Sequence, residues 1–147
     1  MTPVMTIMSE IGQLKRWHDS LLREKCGVAL TLAELNIVGF LYHNPEKDTA
    51  ADIVALRGLS KGNVSQAVER LIARGMLQRR PDTADRRVVH LELLAAAQPV
   101  ALATEAANAA MRDELLQGVS QSELEQLEAL MQKFSINIQT ALERRHL

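Results

Sequence analysis

Aromatic residues are nearly missing from this chain: one Trp, one Tyr and two Phe among 147 residues. A core without rings is filled by aliphatic side chains and Ala, which suits packed helices better than sheets. Cysteine occurs once, as Cys26, which excludes an internal disulfide and a thiolate-rich zinc cage. A reducing cytoplasm is then the simplest compartment. No apolar run approaches the roughly 20 residues of a membrane-spanning helix, so no membrane partner is expected. The start, MTPVMTIMSEIGQLKRW, lacks the charged n-region and cleavage site of a secretory signal. The chain has no Gly-rich phosphate loop, and no Ser/His/Asp or paired-carboxylate arrangement stands out. Its four histidines (His18, His43, His90, His146) show no i,i+3 or i,i+4 pairing. An enzyme, a cofactor and a metal site are therefore not expected, and His90 reads as a surface residue.

Excess charge is also lacking. The net charge is −1, which taken alone argues against a nucleic-acid partner. Its distribution argues the other way. Residues 57–90 hold Arg57, Lys61, Arg70, Arg74, Arg79, Arg80, Arg86 and Arg87 against Glu69, Asp82 and Asp85, a net of +5 inside a chain whose remainder carries −6. A local basic block is the electrostatic footprint that phosphates meet.

What is present is a run of helix signals, in a length and composition that suit one compact domain. Ile7, Ile11, Leu14, Trp17 with His18, Leu21 and Leu22 give a helical stripe from about Thr6 to Lys25. Thr31-Leu-Ala-Glu34 is a capping-box pattern, opening a helix that breaks at Asn44-Pro45. A third helix starts near Thr49 with Asp52 as a weaker cap and stops at Gly58. Ser60 is the N-cap candidate of a fourth, ending at Gly75. Two helices joined by a tight Gly-containing turn make a helix-turn-helix. Leu77–Arg80 and Arg87–Leu93 read as strands around the turn 81–86. An Ala-rich helix from Gln98 or Pro99 to Leu116 and a last helix opened by the Ser120–Glu123 box complete the chain.

The expected fold is mainly α with a small β-wing: a winged helix-turn-helix lobe (31–94) within a single 1–147 domain, with dimerisation helices at 1–30 and 95–147. On the fourth helix Val64, Ala67, Val68, Leu71 and Ile72 face inward, while Gly62, Asn63, Gln66, Glu69, Arg70 and Ala73 face out with Ser65 on the flank. Such a small, hydrogen-bonding face fits a major groove. Asn63, Ser65 and Gln66, with Lys61 and Arg70, are the candidates for base edges, since Asn and Gln can bond adenine N6 and N7 together. Ser60 and the helix N-terminus suit a phosphate. Arg79, Arg86 and Arg87 suit the backbone, one wing Arg reaching the narrow minor groove. Taken alone, the wing arginines would be a solvated hairpin face.

The whole chain resembles the MarR family of transcriptional regulators. The resemblance rests on LSKGNVSQAVERLIARGMLQRR followed by Asp85-Arg86-Arg87-Val-Val-His-Leu-Glu-Leu, where Leu71, Gly75, Met76, Leu77, Arg79, Asp85 and Arg87 occupy the family's characteristic places. It departs from the family pattern at Gln66, where an Arg is frequent, at Leu94, where a Thr often caps the next helix, and at Gln98, in place of a Gly. The resemblance implies a cytoplasmic homodimer that binds double-stranded DNA, as a repressor on a pseudo-palindromic operator. Asp85 would stabilise the wing by holding Arg87. A small aromatic or amphipathic effector would bind between the dimer core and the DNA-binding lobe, near Trp17, His18, Leu21, Phe40 and Met111, each of which suits a core position equally well. The alternatives are a redox- or metal-responsive regulator, with Cys26 better suited to an inert than a reactive thiol, and a winged-helix protein-interaction module.

Overall fold

Five of the six helices begin at a Ser or Thr whose hydroxyl accepts a backbone N–H of the first turn: Thr2, Thr31, Thr49, Ser60 and Ser120. Each cap satisfies one of the donors that a helix start leaves without a partner. The computed structural model describes residues 1–147. Its elements are α1 (Pro3–Cys26), α2 (Leu32–His43), α3 (Ala50–Arg57), α4 (Lys61–Ala73), β1 (Leu77–Pro81), β2 (Val89–Leu93), α5 (Gln98–Leu115) and α6 (Gln121–Arg144). A 3₁₀ turn over Ala95–Ala97 precedes α5. The expected mainly helical, winged architecture is therefore present.

Several local details differ from the sequence reading. The first helix starts at Pro3 rather than Thr6, because Pro tolerates the first turn and Thr2 caps it. The Thr31–Glu34 pattern is only half a capping box. The Thr31 hydroxyl accepts from the Glu34 N–H at 3.2 Å, but the Glu34 carboxylate points inward to Arg70 instead of back to the cap. Thr49–Asp52, read as the weaker cap, makes both reciprocal bonds. The second strand begins at Val89, not Arg87. Its first expected residues stay in the turn, where Asp85 accepts from the Arg87 and Val88 N–H groups at 2.9 and 3.1 Å.

Gly58 makes the turn between α3 and α4: its φ of +65° lies in the left-handed region that side chains disfavour. Leu94 leaves the next helix without a side-chain cap. That start is held by backbone instead, the Leu94 N–H donating to the Met76 carbonyl at 2.9 Å.

The core lies under the helix-turn-helix. Leu22 of α1, Leu35 and Ile37 of α2, Ile53 of α3, Val64 and Leu71 of α4 and Leu77 of β1 are each at most 1% exposed. Truncating one of the buried leucines to Ala would cost about 2–5 kcal/mol. Gly39 lets α5 approach α2 closely, since a Cβ there would stand 3.3 Å from Thr104 Oγ1. The wing is an antiparallel pair in which Leu77 faces Leu93, Arg79 faces Leu91 and Arg80 faces His90. The α2–α3 loop binds its outer edge, the Leu91 N–H donating to the Asp48 carbonyl at 2.7 Å.

The chain forms two compact units, Met1–Arg112 and Asp113–Leu147. In the second, no residue of α6 is buried, and Leu127, Leu130, Met131, Phe134, Ile138 and Leu142 are 39–57% exposed. In the first, Val4, Met5, Ile7, Met8 and Ile11 of α1 are 43–69% exposed. No helix is long and apolar enough to cross a membrane.

Candidate nucleic-acid interface

The inward residues of α4 bury as the helical period requires: Val64, Ala67, Val68 and Leu71 are in the core. Its outward residues therefore reach solvent. Lys61, Asn63, Ser65 and Gln66 are exposed, and their side chains make no hydrogen bond or ion pair within the protein. Ser60 is occupied, its hydroxyl accepting from the Asn63 N–H at 3.1 Å.

Arg70 is used differently from its neighbours on that face. Its Nε donates to Glu34 Oε1 at 2.6 Å, with Arg74 Nε 3.8 Å from the second oxygen. The Glu34 side chain is 1% exposed, so its charge must be met inside the lobe. Arg70 thus ties α4 to α2. Arg79 pairs with Glu69 across the start of the wing, and Arg80 lies 3.6 Å from Glu92 and 4.0 Å from Asp48. The basic block seen in sequence is largely neutralised by its own partners. Lys61 and Arg86 carry cations without one.

The wing turn is built by two Asp residues. Asp82 accepts from the N–H groups of Ala84 and Asp85 at 3.0 and 2.8 Å. Asp85 accepts twice from Arg87, from Nε at 3.2 Å and Nη2 at 3.1 Å, besides the Arg87 backbone N–H. Those bonds with Arg87 lower the Asp85 pKa, keeping it ionised and the fork closed. Arg86, next to this clamped pair, is exposed.

His90 is more than the surface residue the sequence suggested. Its ring is 20% exposed and stands between the carboxylates of Asp48 and Asp82. Asp48 is 42 residues away, beyond any helical or hairpin spacing. Asp82 was within reach of a hairpin register argument.

A second hollow system lies away from α4. Two adjoining spaces of about 240 and 290 Å³ share His18, Asn36, Arg57 and Asn108. Phe40 lines one and Met111 the other. Of the five residues the sequence suggested, these hollows bring together His18, Phe40 and Met111. Leu21 is 7% exposed in the core, and Trp17 packs against the core without lining either space. Beyond His18, sequence reasoning missed the polar lining, Asn36, Arg57 and Asn108. His18 Nε2 bonds Asn108 Oδ1 at 2.8 Å, and Arg57 donates to Asn36 Oδ1. Arg57 sits at the end of α3, where burial lowers its pKa and Asp19 opposes that effect.

Cys26 is half-buried, and burial raises its thiol pKa against the opposing pull of Arg23. A reactive thiolate needs the reverse. Nowhere do three or more His, Cys, Asp or Glu side chains converge as metal ligands would.

Residues 30–88 match the model of the MarR family. The fold is similar to that of a MarR-family transcriptional regulator from Silicibacter pomeroyi, with 20% identity over 87% of this chain and 86% of that one and a TM-score of 0.74. It is similar to the transcriptional regulator PA3341, with 23% identity, coverage of 96% and 98%, and a TM-score of 0.74. A third likeness is to Bordetella bronchiseptica BpsR, whose DNA binding is regulated by 6-hydroxynicotinic acid, at 19% identity, 88% and 92% coverage and a TM-score of 0.63. The winged lobe of this chain thus matches the MarR family model, and the chain as a whole has a fold similar to those of solved transcriptional regulators.

Proposed function

We propose that this protein is a sequence-specific DNA-binding regulator that works as a homodimer, represses from a pseudo-palindromic operator and releases it on binding a small effector. The observation that carries this reading is the exposed, unpartnered row of Lys61, Asn63, Ser65 and Gln66 on α4, next to a wing whose Asp85–Arg87 clamp leaves Arg86 outward. Asn63, Ser65 and Gln66 offer the donor and acceptor pairs that base edges require. Arg86 and Lys61 supply charge to phosphates. The paired cations Arg79 and Arg87 sit in surface ion pairs, which are weak enough to be shared with a phosphate.

The dimer is supported by the apolar stripes of α1 and α6, which would otherwise stay in water. A dimer would place two α4 helices about one DNA turn apart. Sedimentation of the wild type should give a dimer, and Leu130→Asp should give a folded monomer. A monomeric wild type at micromolar concentration would refute the arrangement.

The effector reading is supported by the hollow lined by His18, Asn36, Phe40, Arg57, Asn108 and Met111. Arg57 belongs to the helix-turn-helix, so a ligand there would bias the placement of α3 and α4. Such a ligand lowers operator affinity only by preferring the other state.

Selection of bound duplexes from a random pool tests the core of this reading. It should yield a palindrome with half-sites about one turn apart, bound with steep salt dependence. No enrichment, or binding indifferent to salt, would favour a protein-interaction module instead.

A further inference from the structure

His90 stands between a carboxylate of the α2–α3 loop and a carboxylate of the wing turn. Its Nδ1 lies 2.6 Å from Asp48 Oδ1 and its Nε2 lies 2.7 Å from Asp82 Oδ1. A neutral imidazole has one N–H and one lone pair, so it could donate to one carboxylate and would face the other with like polarity. The doubly protonated ring donates to both. The ring and Asp48 are each 20% exposed and Asp82 27%, so all three groups are only partly open to water.

The two carboxylates belong to different parts of the lobe. Asp48 lies in the α2–α3 loop, directly before Thr49, the cap of α3. Its main-chain carbonyl also holds the Leu91 N–H of β2. Asp82 opens the wing turn and organises it through the N–H groups of Ala84 and Asp85, and Asp85 clamps Arg87. One continuous line of hydrogen bonds thus runs from Asp48, next to the cap of α3, through His90 and Asp82 to the wing tip.

We propose that His90 is a positioning residue for DNA binding: its protonated ring latches the wing tip to the start of α3, and loss of that proton frees the wing. The latch is a property of the free lobe, while its effect on DNA rests on the regulator reading above. Other charges face the ring or its partners. Arg80 stands opposite it on β1, 4.0 Å from Asp48 and 3.6 Å from Glu92 of β2, and Asp85 lies beyond Asp82 in the turn. The hydrogen bonds from Asp48 first, then Asp82, raise the His90 pKa, and Arg80 works against them. His90, with the turn amides, holds Asp82 down at about 2. The signs follow. A raised His pKa gives a latch that is complete below the ordinary His range, near pH 6.5, and is lost as pH rises through the folded value. A depressed Asp pKa keeps the Asp82 arm charged until pH falls toward 2.

Two measurements test this. In the free protein, a nitrogen-resolved NMR titration of His90 should show both ring nitrogens still protonated above the ordinary His range. Amide exchange at Ala84 and Asp85 should accelerate as the ring loses its proton. In Asp82→Asn the ring should titrate at lower pH. A ring that is neutral at pH 6.5, or turn amides indifferent to its titration, would overturn the latch. With the selected duplex at constant ionic strength, wild-type affinity should fall severalfold as pH rises through the His90 titration. His90→Gln should begin near the weakened value and lack that step. Equal pH dependence in the two proteins overturns the coupling to DNA. If no duplex is bound at any pH while the NMR titration and exchange behave as described, the latch stands and the regulator reading fails.

Discussion

The outer face of α4 and the wing hold their polar groups in opposite ways. Asn63, Ser65 and Gln66 have no side-chain partner in the protein, whereas Arg79, Arg80, Arg87 and His90 are each bonded or paired to a carboxylate. The contrast follows from the supports beneath them. A helix buried along Val64, Ala67, Val68 and Leu71 is already rigid, so its outer side chains can stay free for a partner. A two-stranded hairpin is marginal on its own, so it needs ion pairs and turn bonds to hold a shape. On the proposed reading, α4 discriminates and the wing grips.

Arg70 offers the sharpest break in that comparison, because it lies on α4 but behaves like a wing residue. Arg70→Ala would leave the buried Glu34 carboxylate with only Arg74, 3.8 Å away. Breaking a fully buried pair costs about 3–5 kcal/mol. The half-exposed Arg70 and the remaining Arg74 reduce this to about 2–3 kcal/mol, measurable by urea unfolding. Glu34→Gln should lose less, since no buried charge remains. An unchanged unfolding midpoint in Arg70→Ala would show that the pair does not hold α4 to α2.

Gln66→Ala is the next largest effect expected, and it should appear only against DNA. It removes no internal contact, so the melting temperature should stay put. Discrimination at one position of each half-site should fall by about 1–3 kcal/mol, read by competition among single-base variants. The smallest effect belongs to Arg86→Ala. It should weaken all duplexes alike and reduce the salt slope by about one, again with unchanged stability. Arg87→Ala should add to that loss a looser wing, seen as faster amide exchange in the turn.

What the sequence made legible was mostly local. Helix caps announce themselves because cap and partner lie three residues apart, and Thr31, Thr49, Ser60 and Ser120 all cap helices. The inward stripe of α4 follows from its period. The Asp85–Arg87 pair came from family resemblance and is present as a bidentate fork. Pairings across the fold were hidden. Glu34 looked like the second half of a cap until its partner proved to be Arg70, 36 residues on. Trp17 and Leu21 shared a helical stripe with His18, yet only His18 lines the hollow. A stripe specifies one face and not which neighbour covers each part of it. The net charge of the basic block was legible too, but not that most of it is spent on internal partners.

On the proposed reading, unpartnered side chains on α4 select sequence while the wing supplies grip. Parallel selections from one random duplex pool, using the wild type, Gln66→Ala and Arg86→Ala, test it most directly. Arg86→Ala should recover the wild-type motif at lower affinity, and Gln66→Ala should recover one with altered preference at a single position of each half-site. Loss of preference at that position in Arg86→Ala, or an unchanged motif with uniformly weaker binding in Gln66→Ala, would contradict that reading.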